Sequence, residues 1–202
     1  MPLITTFANA SARGYGMFPG APAATNSYES IATVLVGSGG SSSISFTSIP
    51  STYKHLQVRG IARSTRTDFA IDQLYTRFNS DSGSNYAWHW LNGTGATANT
   101  DAGTSATIMN LGWFATNASA SVTNAFGGFV IDVLDYANTS KYKTVRTLIG
   151  NDLNGGGSPF TGNVSLISGL WQNTAAITTI SFDPSAADFA QYSQIALYGI
   201  KG

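Results

Sequence analysis

The sequence predicts an all-β protein, a jelly-roll-like β-sandwich preceded by an extended N-terminal arm. Three observations lead there. Apolar residues recur in short alternating runs, and no segment sustains the 3.6-residue stripe of an amphipathic helix. Clusters of Gly, Ser, Asn, Asp and Pro break those runs at intervals of about eight to twelve residues, the spacing of a sandwich or jelly roll. Strong helix formers are scarce, with Glu29 the single glutamate in 202 residues, while Thr, Ser, Tyr, Phe, Ile and Val abound.

The elements follow in order. Residues 1–27 carry three of the six prolines (Pro2, Pro19, Pro22) with Gly14, Gly16 and Gly20, so they read as an arm outside the core. The arm also holds apolar anchors, among them Leu3, Phe7, Tyr15 and Phe18, and Arg13 is its one charged side chain. That apolar content is high for a purely solvated linker and suits either a disordered tail with incidental apolar residues or an arm docking on a neighbouring subunit or larger assembly. The sandwich spans 28–202, a length that one β domain fills. Tyr28–Val36 is its first strand, and the GSGGSSS turn at 37–43 leads into Ile44–Phe46. Tyr53–Ala62 alternates Leu56 and Val58 against His55, Gln57 and Arg59, a strand with one wet face. Asp68–Asn79 is read as a strand although its apolar residues also suit a helix. A loop at 79–85 precedes the aromatic strand Tyr86–Leu91, and residues 92–104, low in bulk and rich in turn formers, are expected to form a long exposed loop before a short strand at Ala106–Asn110. Phe126–Tyr136 and Tyr142–Gly150 form a pair, 151–162 is a loop, and Asn163–Gln172 is the penultimate long strand. The chain closes with Ile177–Phe182, an Asp-Pro turn and Tyr192–Ile200, the last expected to lie centrally in a sheet. The total is about nine to eleven strands.

Composition narrows the function. Charged residues make up 10% of the chain and ten basic residues balance ten acidic ones, so no steering toward nucleic acid or an anionic membrane is expected. The absence of cysteine removes disulfides, thiolate metal sites and a cysteine nucleophile. The opening residues lack a basic, apolar leader, and no stretch reaches the length of a membrane-spanning helix.

Candidate chemistry is sparse. Tyr86, Trp88 and Trp90 share one strand face, an arrangement that serves a carbohydrate platform or a sandwich core, with core packing the simpler reading. Trp113 and Trp171 lean further toward core. His55 reads as a surface residue of its strand. Asp152-Leu-Asn154-Gly-Gly156 approaches calcium-loop spacing, but Asn163 stands where the closing carboxylate belongs. Asp132 and Asp135 point to opposite faces of a strand and do not pair as glycosidase carboxylates. Neither a G-x-S-x-G elbow nor a phosphate loop is present. No catalytic residue, metal or cofactor is expected.

Three blocks, Ser11–Gly16 (SARGYG), Tyr28–Arg63 (centred on SIPSTYKHLQ) and Ala175–Gly202 (ending LYGIKG), resemble tailed-bacteriophage virion proteins of the tail-fibre or minor structural type, often from cyanophages and marine phages. Phe189, Ser193 and Leu197-Tyr198-Gly199-Ile200-Lys201 fit the closing block; the middle third of the chain carries no match. The resemblance implies a non-enzymatic virion component: a tail fibre or adhesin held by its arm, partnering portal, tail or capsid subunits, with contacts to host-surface glycan and a homo-trimeric assembly. The alternatives are a decoration protein that cements the capsid and a glycan-degrading enzyme. Loops 79–85, 92–104 and 151–162 are expected to face outward.

Overall fold

The computed structural model describes residues 27–118, 122–155 and 161–202. Almost the whole arm, with Leu3, Phe7, Arg13, Tyr15 and Phe18, therefore lies outside the described residues, as do 156–160 of the loop at 151–162.

Alternating side chains bury one face of most strands, and two layers close on each other over those faces. Twelve strands and no helix occur among the described residues. They are β1 (Tyr28–Leu35), β2 (Ile44–Phe46), β3 (His55–Ser64), β4 (Ile71–Phe78), β5 (Tyr86–Gly93), β6 (Ala98–Ala106), β7 (Met109–Thr116), β8 (Gly127–Leu134), β9 (Lys143–Asp152), β10 (Gly162–Trp171), β11 (Ile180–Pro184) and β12 (Gln194–Ile200). Eight of them form one antiparallel sheet in the order β1-β12-β3-β8-β9-β10-β5-β6. The other four form an antiparallel layer, β2-β11-β4-β7, joined to the first where Arg63 and Ser64 of β3 run parallel to Ala115 and Thr116 of β7. The fold is the all-β, jelly-roll-like sandwich that the sequence predicts.

The core sits where β7 crosses the large sheet. Met109 lies over Gly169 of β10, Gly112 over Ile149 of β9 and Ile167 of β10, and Trp113 against Trp90 of β5. Leu56, Val58, Ile131, Val133 and Val145 of the large sheet and Leu74, Phe78, Phe114, Ile180 and Phe182 of the small one are at most 1% exposed. Each such side chain contributes about 1.5–3 kcal/mol relative to an exposed one.

Three expectations need correction. Residues 98–106 are a strand, β6, and only 94–97 form the connection to β5. β6 is an edge strand held by backbone pairing to β5, with nearly every side chain exposed, so it has no apolar alternation to reveal it. The strand expected at 106–110 is β7 at Met109–Thr116; it is buried along most of its length, and a strand covered on both faces loses its period of two. The terminal strand β12 is interior but not central, since it lies between β3 and the edge strand β1, and its predecessor β11 belongs to the opposite sheet.

The blocks that carry the virion resemblance are neighbours in space. Tyr28 of β1 pairs with Ile200 of β12, which pairs with His55 of β3. Around this clasp the Lys201 N–H donates to the Ser27 carbonyl at 3.0 Å, the Lys54 N–H to that of Ile200 at 2.8 Å, and Lys201 Nζ meets Glu29 Oε2 at 2.8 Å. A Cβ at position 199 would lie 2.3 Å from the Tyr53 ring, so only glycine fits beneath it. Ser27, where the arm joins, and the closing residues thus share one end of the sandwich.

Candidate functional site

The register of the large sheet defines two ends. Tyr28, Ile200, His55, Lys143, Trp171 and Tyr86 mark the end where the arm joins. Leu35, Gln194, Gly128, Gly150, Val164 and Gly93 mark the distal end. The β5–β6 connection at 94–97 and the β9–β10 ends at 151–155 and 161–163 come together distally, whereas loop 79–85 leads into Tyr86 and so lies at the arm end.

The aromatic stripe packs as core, the simpler of its two readings. Tyr86 is fully buried; its hydroxyl accepts from the Phe78 N–H at 3.0 Å and donates to the Asp81 carbonyl at 3.1 Å, and burial pushes its pKa up to about 12. Trp90 is buried, edge-on to Trp113 at 4.4 Å between ring centroids. Trp88 is half-buried, edge-on to Trp90 at 6.4 Å, and its indole covers Gly103 of β6. The three share the inward face of β5, with Tyr86 and Trp90 buried and Trp88 packed over Gly103. Trp171 is also buried and donates its indole N–H to Asp81 at 2.8 Å. Burial opposes ionisation of Asp81, but the bonds from Asn85, Trp171 and the Gly83 N–H outweigh it and hold the carboxyl below its ordinary pKa.

The other candidates are dispersed. His55 Nδ1 accepts the Asp135 N–H at 2.9 Å, and Asp135 is ion-paired with Lys54 at 3.0 Å and with Lys141; the Lys141 and then the Lys54 bonds lower its pKa to about 2. Asp132 lies on the outer face of β8, facing Arg146 of β9. His89 is exposed on the outer face of β5. Asp72 is buried and accepts from Ser64 at 2.7 Å and Ser185 at 2.5 Å, and neither histidine is among its partners. No group of three or more His, Cys, Asp or Glu positioned for a metal occurs among the described residues.

The distal end holds what the sequence reading missed. A cleft of about 560 Å³ opens between the β5–β6 connection and the β9–β10 ends, lined by residues that include Thr94, Asn151, Asp152, Asn154, Asn163 and Val164. Asn151 and Asn163 are directly opposed across β9 and β10, as are Asn92 and Ser165 across β5 and β10. Asn92 and Asn163 donate to Ser165 Oγ at 2.7 and 3.4 Å. Both side-chain polar atoms of Asn151, and Oδ1 of Asn92 and of Asn163, are buried without a hydrogen-bond partner. A buried polar atom left unpaired costs about 1–3 kcal/mol, so this end holds hydrogen-bonding capacity that the fold itself does not use. Carboxamides both donate and accept without charge, which matches the hydroxyls of a neutral polyol. Among the lining residues Asp152 is the one carboxylate, and its Oδ1 accepts the Asn154 N–H at 2.7 Å; paired-carboxylate glycoside hydrolysis needs a second. The sequence signal was Asn92, which continues the inward phase of Tyr86, Trp88 and Trp90.

A second distal feature is Arg63, 7% exposed, which donates to Asn117 Oδ1 and to the Val122 and Ala125 carbonyls at 3.0 Å each, tying the β7–β8 connection to β3.

No protein-family model matches the chain, and no curated protein matches it. Among solved structures, a protein of unknown function from Shewanella oneidensis MR-1 is similar over 87% of this chain and 77% of that one, at 10% identity and a TM-score of 0.22, a level that transfers neither fold nor function.

Proposed function

We propose that the chain is a non-enzymatic virion component of a tailed bacteriophage, a tail-fibre or adhesin part attached through residues 1–27 and turning its distal end toward neutral glycan on the host. One observation carries the reading: the arm joins at one end of the sandwich, and the cleft with unpartnered Asn151, Asn163 and, behind them, Asn92 opens at the other. An anchor and a contact surface at opposite ends is the arrangement a displayed module needs. Weak contacts by a neutral cleft, repeated over several copies, add through effective concentration. The resemblance of the β1, β3 and β12 blocks to virion proteins supplies the context.

The test is incorporation and counting. Particles assembled with the full chain are expected to contain it at tens of copies, and particles assembled with a chain lacking residues 1–27 to contain none. Normal incorporation of the shortened chain removes the anchor role. Hundreds of copies identify a capsid decoration protein instead, and reducing ends released from host polysaccharide identify an enzyme. For the cleft, purified chain is titrated with host polysaccharide; Asn163→Ala is expected to weaken binding while Trp88→Ala leaves it unchanged, and the reverse result returns the contact to the aromatic strand.

A further inference from the structure

The outer face of the large sheet carries a row of aliphatic side chains that no part of the described chain covers. Val130 of β8 stands directly opposite Leu148 of β9, Leu148 opposite Leu166 of β10, and Leu166 opposite Leu91 of β5. They are 36%, 54%, 58% and 51% exposed, and Val164, one row distal on β10, is 55% exposed. Leu91, Leu148, Val164 and Leu166 with Ala98 wall a shallow depression of about 260 Å³. Singly exposed aliphatics are ordinary on a protein surface, whereas four in register on adjacent strands form one contiguous patch. The next row toward the arm end is polar: Asp132, Arg146, Ser168 and His89 oppose one another along the same four strands.

We propose that this face docks a second copy of the same chain, sheet face against sheet face, about a twofold axis running parallel to the strands between β9 and β10. Three features select a copy as the occupant. The exposed aliphatics lie on four adjacent strands with a polar row beside them, a face broad enough for the roughly 500 Å² per copy at which a specific interface begins. The aliphatic row is self-complementary: the twofold sets Leu148 against Leu166 of the copy and Val130 against Leu91, at the roughly 10 Å spacing of stacked sheets. The same operation brings Asp132 opposite His89 of the copy, and the chain's formal net charge of zero leaves no long-range repulsion between copies. The proposal stands independently of the virion reading, because it rests on the register and exposure of four strands.

The full chain is measured by sedimentation and light scattering at concentrations of about 1 to 100 μM. A concentration-dependent dimer is expected. Leu166→Glu and Leu148→Glu, both at exposed positions, are expected to be monomers with unchanged circular dichroism, while Tyr192→Glu, exposed on a distal loop, remains dimeric. Because the chain has no cysteine, a mixture of Leu148→Cys and Leu166→Cys chains reads the geometry directly, with a cross-linked pair expected from a bis-maleimide reagent that spans the roughly 10 Å between stacked sheets, a gap too wide for a disulfide. A wild-type monomer throughout overturns the proposal and leaves the face to the arm or to another protein. A trimer overturns it as well, since an isologous contact closes at two copies. A dimer that survives both glutamate substitutions places the interface elsewhere and overturns it.

Discussion

The two ends of the sandwich treat their buried polar groups in opposite ways. At the arm end, Lys143 is fully buried, yet its ammonium donates to the carbonyls of Asn138, Lys141 and Thr174 at 2.6, 3.0 and 3.0 Å. Asp81 there gathers Asn85, Trp171 and the Gly83 N–H, and Tyr86 both donates and accepts. At the distal end Arg63 is similarly tied, but beside it Asn92, Asn151 and Asn163 keep buried polar atoms with no partner. Paired groups stabilise a fold and unpaired ones cost it stability, so one end is organised for holding together and the other retains groups suited to an outside partner.

Deleting buried polarity therefore has opposite signs at the two ends. Lys143→Met removes three charge-assisted hydrogen bonds and strands three carbonyls, two from the β8–β9 connection and one from the β10–β11 connection, at a cost of about 3–5 kcal/mol. Urea unfolding should show an unchanged slope and a midpoint that falls by that free energy divided by the slope. A loss under 1 kcal/mol would mean that the carbonyls find water, and the arm end would lose its distinction.

Gly199→Ala tests the clasp that joins the chain's two terminal blocks. The new methyl meets the Tyr53 ring at 2.3 Å, so either the ring or β12 must shift, at about 1–3 kcal/mol. Tyr53→Ala in the same chain opens the space, and the second substitution should recover part of the loss. Additive losses would show that Tyr53 and Gly199 do not act as a unit.

How much of this could be read beforehand followed one physical distinction. β8, β9 and β10 alternate because one face is buried, while the β1, β3 and β12 blocks draw notice through their resemblance to virion proteins. β6 reads as a loop in the sequence because an edge strand with exposed Asn99, Thr100 and Asp101 has nothing to bury, and β7 escapes its true bounds because a strand covered on both faces loses its period. The aromatic ladder was assigned to the right face of β5, yet which sheet that face meets depends on β7. The distal cleft was invisible because Asn92, Asn151 and Asn163 come from separate segments, and asparagine in a sequence suggests a turn before it suggests an inward strand position. The outer aliphatic row was missed for the same reason: Leu91, Leu148 and Leu166 become neighbours only through register.

At the distal end, Asn151→Leu replaces an unpartnered carboxamide with an apolar group of similar size. Stability is expected to be unchanged or to rise by up to about 1 kcal/mol, since no hydrogen bond is lost. A destabilisation above 1 kcal/mol would show that the carboxamide is satisfied by bound water, and the contrast between the ends would narrow. Thermal unfolding of Lys143→Met and Asn151→Leu side by side gives the comparison its most direct reading.

The smallest effect belongs to the surface of the arm end. Asp135, with Lys141 and Lys54 beside it, has a pKa of about 2 in the folded chain, below the roughly 3.9 of an unfolded aspartate. A depressed carboxylate contributes stability that is fully present above pH 4 and disappears as pH falls through 2. Both lysines are more than half exposed, so solvent screening limits the contribution to less than about 1 kcal/mol. The difference in stability between the wild type and Asp135→Asn should therefore shrink between pH 4 and pH 2, and should shrink at pH 7 when salt is raised to about 1 M. A difference that ignores both would assign the role of the Asp135 side chain to neutral hydrogen bonding and not to its charge, since the backbone N–H that donates to His55 is the same in both chains.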